Sequence, residues 1–363
     1  VKNITIRNKS YYLPIFLPDA TRGVTKGLDS TDLVFAGVEG VVVNTLHLKD
    51  TPGIKVLKKF GGIKNFMNFS GLVVSDSGGW QVFSLVQKSQ AGGRVTDRGV
   101  MFNKRDSSSR VFTPEESLDI QLAVDSDIMI CLDDFTPPEA TKEEAKLSVD
   151  RTIKWAQRTK KHYLAYLKKN RIPEKNRPHL YAVVQGGYFK ELRKTCTREL
   201  LDIGFDGYGY GGYVVDVKGN LDLRLSRYIC NLLPGDKPRF ALGMGRPKDI
   251  VSLSDMGWDI FDCTLPTRDA RHRRLYCLDL ERAKSPENLK RGRGFSHIYI
   301  ERKVFEEDQR PLDKDCDCHT CLHYSRSYLR HLFKINDTLA YKLATIHNLR
   351  VYTRLIEHLR GLN

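Results

Sequence analysis

Leu180-Tyr181-Ala182-Val183-Val184-Gln185-Gly186-Gly187 is the stretch on which the fold turns. Five apolar residues give way to one polar side chain and then two glycines, the pattern of a short buried strand ending in a tight loop. Residues 189–203, which follow, read as a helix, and residues 205–210 as another strand. Outward in both directions the alternation continues. Strand-like runs fall at residues 14–18, 41–45, 71–75, 127–132, 180–184, 205–210, 239–243 and 259–263, with helical patterns at 113–123, 141–169, 189–203, 221–233 and 248–256. Two helices carry their own start signals: Thr113 with Pro114 and Glu116, and Thr141 with Glu144, each match a capping box. Strand and helix in turn imply right-handed βα units and a parallel sheet. Eight such units predict an α/β fold closed into a (β/α)8 TIM barrel, which takes about 250 residues before insertions. A doubly wound open sheet is the competing architecture. It accounts poorly for Asp76, Asp133, Gln185, the 208–212 loop, Gly243 and Asp262, all at or just past strand ends, because in a barrel those ends open on one face.

The 363 residues, 40% hydrophobic and 28% charged, provide both a core and a solvated surface, which excludes a disordered or collagen-like chain. No apolar run approaches the roughly 18 residues needed to cross a bilayer. The opening stretch, Tyr11 to Pro18, reads as a strand between prolines rather than a signal peptide, so the expectation is a soluble, cytoplasmic protein with no membrane partner. Residues 1–281 are expected to form the barrel, 282–346 an insertion and 347–363 a final helix returning to the barrel. Residues 84–112 read as a second, polar insertion, with a hairpin strand at 99–102.

Of eight cysteines, three fall within six residues: Cys316-Asp317-Cys318-His319-Thr320-Cys321. That spacing suits a reducing compartment and a closed metal site rather than a disulfide framework. A structural zinc takes four Cys or His ligands. His319, between two of the cysteines, is poorly placed to turn inward with both; spacing leaves His323, His331 and His347 open as the fourth.

Asp76 precedes Gly78-Gly79-Trp80, where the glycines admit a flat ligand and the indole can stack on it. With the loops at Gly186-Gly187 and Gly211-Gly212, this reads as a slot for a planar molecule whose polar edge Asp133 and Gln185 can meet. Asp262 stands at the last strand end, before an arginine-rich run. Paired carboxylates of this kind perform double displacement at an anomeric carbon, one attacking and the other moving protons.

The net charge of +15 points to a polyanionic partner. Ten basic residues and one acid between 151 and 177 read as a solvated helix face. Eleven basic against five acidic residues from 264 to 303, including Arg268, Arg271, Arg273 and Arg274, read as a nucleic-acid contact.

In that order, Asp76-Ser77-Gly78-Gly79, Leu132-Asp133-Asp134, Val184-Gln185-Gly186-Gly187, Gly211-Gly212, Phe261-Asp262-Cys263 with Leu265-Pro266-Thr267-Arg268, and Cys316-x-Cys318-x2-Cys321 with distal His347 resemble the tRNA-guanine transglycosylases along almost the whole chain. The resemblance implies a barrel with a zinc-bearing insertion, one structural zinc on Cys316, Cys318, Cys321 and His347, and a homodimer. It implies exchange of guanine at the tRNA wobble position for a 7-deazaguanine, queuine or its aminomethyl precursor. Carried over by position, Asp262 resembles the nucleophile and Asp76 the general acid/base. Asp133, Gln185 and the Gly212 backbone resemble the base-reading groups, with Trp80 under the ring and Tyr213, Leu242 and Gly243 in the same pocket. Arg268, Arg271, Arg273 and Arg274 resemble RNA contacts. Trp80 stands where the family has Phe or Tyr. Gly209, Tyr210 and Tyr213 depart from its Gly-Tyr-Ala-aliphatic-Gly-Gly-Leu loop, and Phe135 stands where bacterial members often have a small residue. Two alternatives accompany this reading: a related enzyme acting on DNA, and a catalytically weak partner subunit of a heterodimer.

Overall fold

The computed structural model describes residues 2–79, 93–103, 109–212, 215, 220–283 and 285–362. The eight apolar runs are β1 (Ile15–Pro18), β2 (Gly40–Val43), β3 (Leu72–Ser75), β4 (Ile128–Ile130), β5 (His179–Val184), β6 (Gly207–Tyr210), β7 (Arg239–Ala241) and β8 (Ile260–Cys263). They lie in the order β1-β8-β7-β6-β5-β4-β3-β2, every neighbouring pair parallel. Between the two ends of that order, Asp19 bridges Val42, and the Ala20 amide donates to the Val42 carbonyl at 2.8 Å. The α/β barrel expected from the sequence is present, and the open-sheet alternative is not.

Alternation along each strand divides the core in two. Ile15, Leu17, Leu72, Val74, Ile128, Ile130, Tyr181, Val183, Phe240 and Ile260 fill the barrel interior. Phe16, Met129, Leu180, Ala182, Val184, Tyr208, Tyr210, Ala241 and Phe261 point outward beneath the helices. An antiparallel hairpin of Asn3–Ile6 and Lys9–Tyr12 adds Ile4, Ile6 and Tyr11 to the interior cluster. Among the described residues these side chains pack one end of the interior, and the strand C-terminal ends open at the other.

Local signals act where the sequence places them. The Thr141 side chain accepts from the Glu144 amide and the Glu144 carboxylate accepts from the Thr141 amide, so Lys142–Lys169 opens on a full capping box. Thr113 likewise accepts from the Glu116 amide at 3.2 Å, while the Glu116 carboxylate reaches Lys49 at 2.7 Å. The strand expected near 99–102 is Gly99–Asn103, central in a three-stranded antiparallel sheet; the rest of that insertion lies partly outside the described residues.

One boundary differs. The sequence placed His347 at the start of the final helix, but that helix is Thr338–Leu362, and His347 lies well inside it. Asn336 adopts left-handed φ of 55°, and the Asp337 carboxylate accepts from the Leu339 amide at 2.8 Å, which starts the helix earlier. Among the described residues no helix is long and apolar enough to cross a membrane.

Candidate active site

The strand ends enclose a cavity of about 650 Å³ lined by Asp19, Asn44, Asp76, Ser77, Asp133, Phe135, Gly211, Gly212, Leu242, Gly243, Asp262 and Arg268, among others. Each strand contributes at its C-terminal end, so residues more than two hundred positions apart meet on one wall.

Asp76 follows β3 directly, and its carboxylate is held from three sides. Asn44 donates at 2.7 Å, and the amides of Thr45 and Gly78 each donate at 3.1 Å. Burial pushes its pKa up to about 6 against the pull of those donors, with a small further push from Asp19. Asp262, one residue from the end of β8, accepts from the Gly243 amide at 2.7 Å. Burial, then the charges of Asp76 and Asp19, raise it to about 7. Both carboxylates are thus pushed up from the ordinary range, and the charge of Asp76 is one of the causes acting on Asp262.

Asp133 follows β4, the strand paired with β3, and so stands beside the Asp76 segment. Gln185 donates to it from Nε2 at 2.6 Å, Ser77 reaches it at 3.4 Å, and burial raises its pKa to about 6. Gln185 is fully buried: its Oε1 accepts from the Thr136 amide at 3.3 Å, and it supports Asp133 from behind the wall rather than lining the cavity. Gly211 makes room for it, since a Cβ there would fall 2.5 Å from Gln185 Nε2. Gly212, at φ of 89°, needs the left-handed freedom of glycine.

Of the residues singled out in the sequence, Asp76, Asp133, Gly212, Leu242, Gly243, Asp262 and Arg268 line one cavity. Trp80 and Tyr213 lie outside the described residues. Arg271, Arg273 and Arg274 stand away from it: Arg271 donates to the Thr267 carbonyl at 2.8 Å, Arg273 pairs with Glu301 at 3.1 Å, and Arg274 lies 3.7 Å from Asp269. Arg274 lines a second hollow of about 330 Å³ with Lys248, His297 and Arg246. In the other basic stretch, Lys154, Arg158 and Arg177 are taken up by Asp97, Glu115 and Asp206. Asp19 was missed. It sits at the seam between β1 and β2, half-buried, and its only sequence signal is its position directly after a strand-end proline.

The second chemical centre is Cys316, Cys318, Cys321 and His347, whose ligand atoms all lie within 4.8 Å of one another. His347 Nδ1 is 3.3 Å from Cys321 Sγ and 3.6 Å from Cys318 Sγ. Its Nε2 donates to the Tyr276 carbonyl at 2.7 Å, which fixes the ring so that Nδ1 faces the sulfurs. Arg350, one turn on, holds Asp317 through two bonds of 2.7 and 2.8 Å and so pins the cysteine loop to the final helix. Three thiols and an imidazole, buried and convergent, are able to hold one metal ion and suit a tetrahedral one. His323 and His331 are not part of the cluster.

A family model described as queuine tRNA-ribosyltransferase matches residues 1–361. Proteins named queuine tRNA-ribosyltransferase are similar along the chain. That of Vibrio campbellii is 37% identical over 358 residues, covering 98% of this chain and 87% of its own. That of Mannheimia succiniciproducens is 38% identical over 352 residues, covering 97% and 86%. One from Acinetobacter baumannii is 37% identical over 358 residues, covering 98% and 88%. With a family model over almost the whole chain and relatives 37–38% identical along it, the chain belongs to the queuine tRNA-ribosyltransferase family.

Proposed function

We propose that the protein is a tRNA-guanine transglycosylase, a pentosyltransferase that replaces guanine at the wobble position of tRNA with a 7-deazaguanine, queuine or its 7-aminomethyl precursor. The observation that carries this is the convergence of Asp262, Asp76 and Asp133 on one cavity at the strand ends. A base held at Asp133 presents its sugar to the two carboxylates.

In the first displacement an Asp262 oxygen bonds to ribose C1′ as the C1′–N9 bond breaks, and Asp76 delivers the proton that lets guanine leave neutral. In the second, N9 of the incoming base bonds to C1′ as the Asp262 ester breaks, and Asp76 takes the N9 proton. Two inversions restore the β configuration, and one glycosidic bond replaces another, so no energy source is needed. Asp262 must be ionised and Asp76 protonated at the start. As positive charge grows at C1′ it stabilises the ionised form of the carboxylate that faces it, while Asp76 holds the proton to be delivered. The base must leave the anticodon stack to enter the cavity.

The carboxylate of Asp133 suits the N1–H and 2-amino donors of guanine. Trp80 stacks on its ring, with Tyr213, Leu242 and Gly243 beside it. Arg268, Arg271, Arg273 and Arg274 follow the RNA backbone. The Cys3His cluster takes a structural zinc, joining the insertion that begins at residue 282 to the final helix, Thr338–Leu362, on a barrel of residues 1–281. The enzyme works in the cytoplasm as a homodimer. Exchange of radiolabelled guanine across a panel of tRNAs, with 7-deazaguanines as competitors, tests this reading. Label should enter tRNAs with guanine at the wobble position, and absence of exchange in every tRNA refutes it.

A further inference from the structure

Arg193 is a fully buried guanidinium in the helix Lys190–Ile203, which follows β5. Burying a cation is costly, and the usual compensation is a carboxylate. Among the described residues Arg193 has none. It donates instead to three backbone carbonyls: Val184 at 2.5 Å, Gly211 at 2.7 Å and Gly187 at 2.9 Å. The face of Tyr210 lies 5.2 Å from its central carbon. Among the described residues its second terminal nitrogen has no hydrogen-bond partner, and it would stand 3.1 Å from a Cβ on Gly212.

These contacts tie the loop after β5 to the loop after β6, yet Arg193 does not line the cavity that Gly212 lines. The Gly211 carbonyl belongs to the same planar peptide unit as the Gly212 amide, with the two dipoles pointing opposite ways. A cation on that carbonyl polarises the unit and strengthens its N–H on the far side. We propose that Arg193 is a positioning residue that acts through the Gly211–Gly212 peptide, making the Gly212 N–H a charge-backed donor to the 6-oxo group of the base. This rests on the transglycosylase reading and extends it. While Asp133 meets the donors on the purine edge, a backed amide meets the acceptor. It also favours guanine as a leaving group, because negative charge grows on the purine as C1′–N9 breaks.

The experiment compares wild type, Arg193→Met and Arg193→Lys by the inhibition constants of guanine and of 2-aminopurine, which lacks the 6-oxo group, and by tRNA Kd. Arg193→Met should weaken guanine roughly tenfold, the scale of a charge-assisted hydrogen bond. It should leave 2-aminopurine and tRNA Kd within about twofold, and Arg193→Lys should recover part of the guanine affinity. If Arg193→Met does not fold, the guanine-to-2-aminopurine ratio in Arg193→Lys decides: a smaller selective loss for guanine supports the proposal. Equal loss for both bases, or no loss for either, overturns it. Wild-type enzyme that fails to bind guanine would instead overturn the transglycosylase reading itself, so the two failures are told apart.

Discussion

His347 donates from Nε2 to the Tyr276 carbonyl at 2.7 Å, so the residue that completes the cysteine cluster is bonded directly to the strand Arg274–Leu278. Asn348, the next residue, accepts from the Tyr276 amide at 3.0 Å and donates to the carbonyls of Pro266 and Arg274, each at 3.0 Å. One turn of the final helix thus joins the metal cluster to the segment leaving β8, only four residues beyond Asp262.

Metal removal should therefore reach the cavity. Chelation should raise amide exchange at residues 264–278 and 312–323 well before β2 to β5, and guanine exchange activity should fall in parallel. Hydrogen-exchange mass spectrometry checks this. Protection lost only beyond residue 312, with full activity, contradicts the coupling.

Asp19 should tune the acid limb of the pH–rate profile. Its charge is one of the causes raising both Asp262 and Asp76. Asp19→Asn removes a like charge, so the carboxylate that must ionise does so at lower pH. The acid limb should move down by roughly half a unit or less, since this is a minor cause beside burial. An unmoved or raised limb refutes the role.

Asp262→Asn should stabilise the fold while abolishing exchange. The folded carboxyl titrates near 7 against an ordinary value of 3.8, so its neutral form is favoured in the native state. That stability is complete below about pH 4 and is lost as pH rises through 7, where a buried charge must be carried. Asparagine carries none and still accepts from the Gly243 amide. The stability advantage should widen from pH 5 to pH 8 and reach about 1–2 kcal/mol, discounted because the cavity admits water. A variant less stable than wild type at pH 8 contradicts it.

Gly211→Ala should damage base binding. Its Cβ would fall 2.4 Å from Val183 Cγ1 and 2.5 Å from Gln185 Nε2, displacing the amide that holds Asp133. Overpacking of this kind costs about 1–3 kcal/mol. The KM for the base should rise at least several-fold with tRNA Kd little changed; unchanged KM refutes the support role of Gln185.

The barrel was legible because each strand is a short apolar run closed by polar or glycine residues, and Leu180–Gly187 is typical. The strand-end aspartates were legible for the same reason: period and position alone place Asp76 and Asp262 on one face. Three features were not. The N-terminal hairpin plugs the barrel with Ile4, Ile6 and Tyr11, a tertiary use that local pattern does not encode. How Gln185 is held, with its Nε2 on Asp133, depends on the missing side chain of Gly211. Asp19 became visible only when the seam between β1 and β2 brought it beside two other carboxylates. The final helix also began earlier than expected, because Asp337 caps it and no breaker separates Thr338 from His347.

The most direct test is to trap the enzyme on tRNA in the absence of an incoming base and map the adduct by mass spectrometry. The account predicts one ribose-linked carboxylate, Asp262, and no adduct in Asp262→Asn. An adduct on Asp76 or Asp19, or guanine exchange that survives in Asp262→Asn, would contradict it.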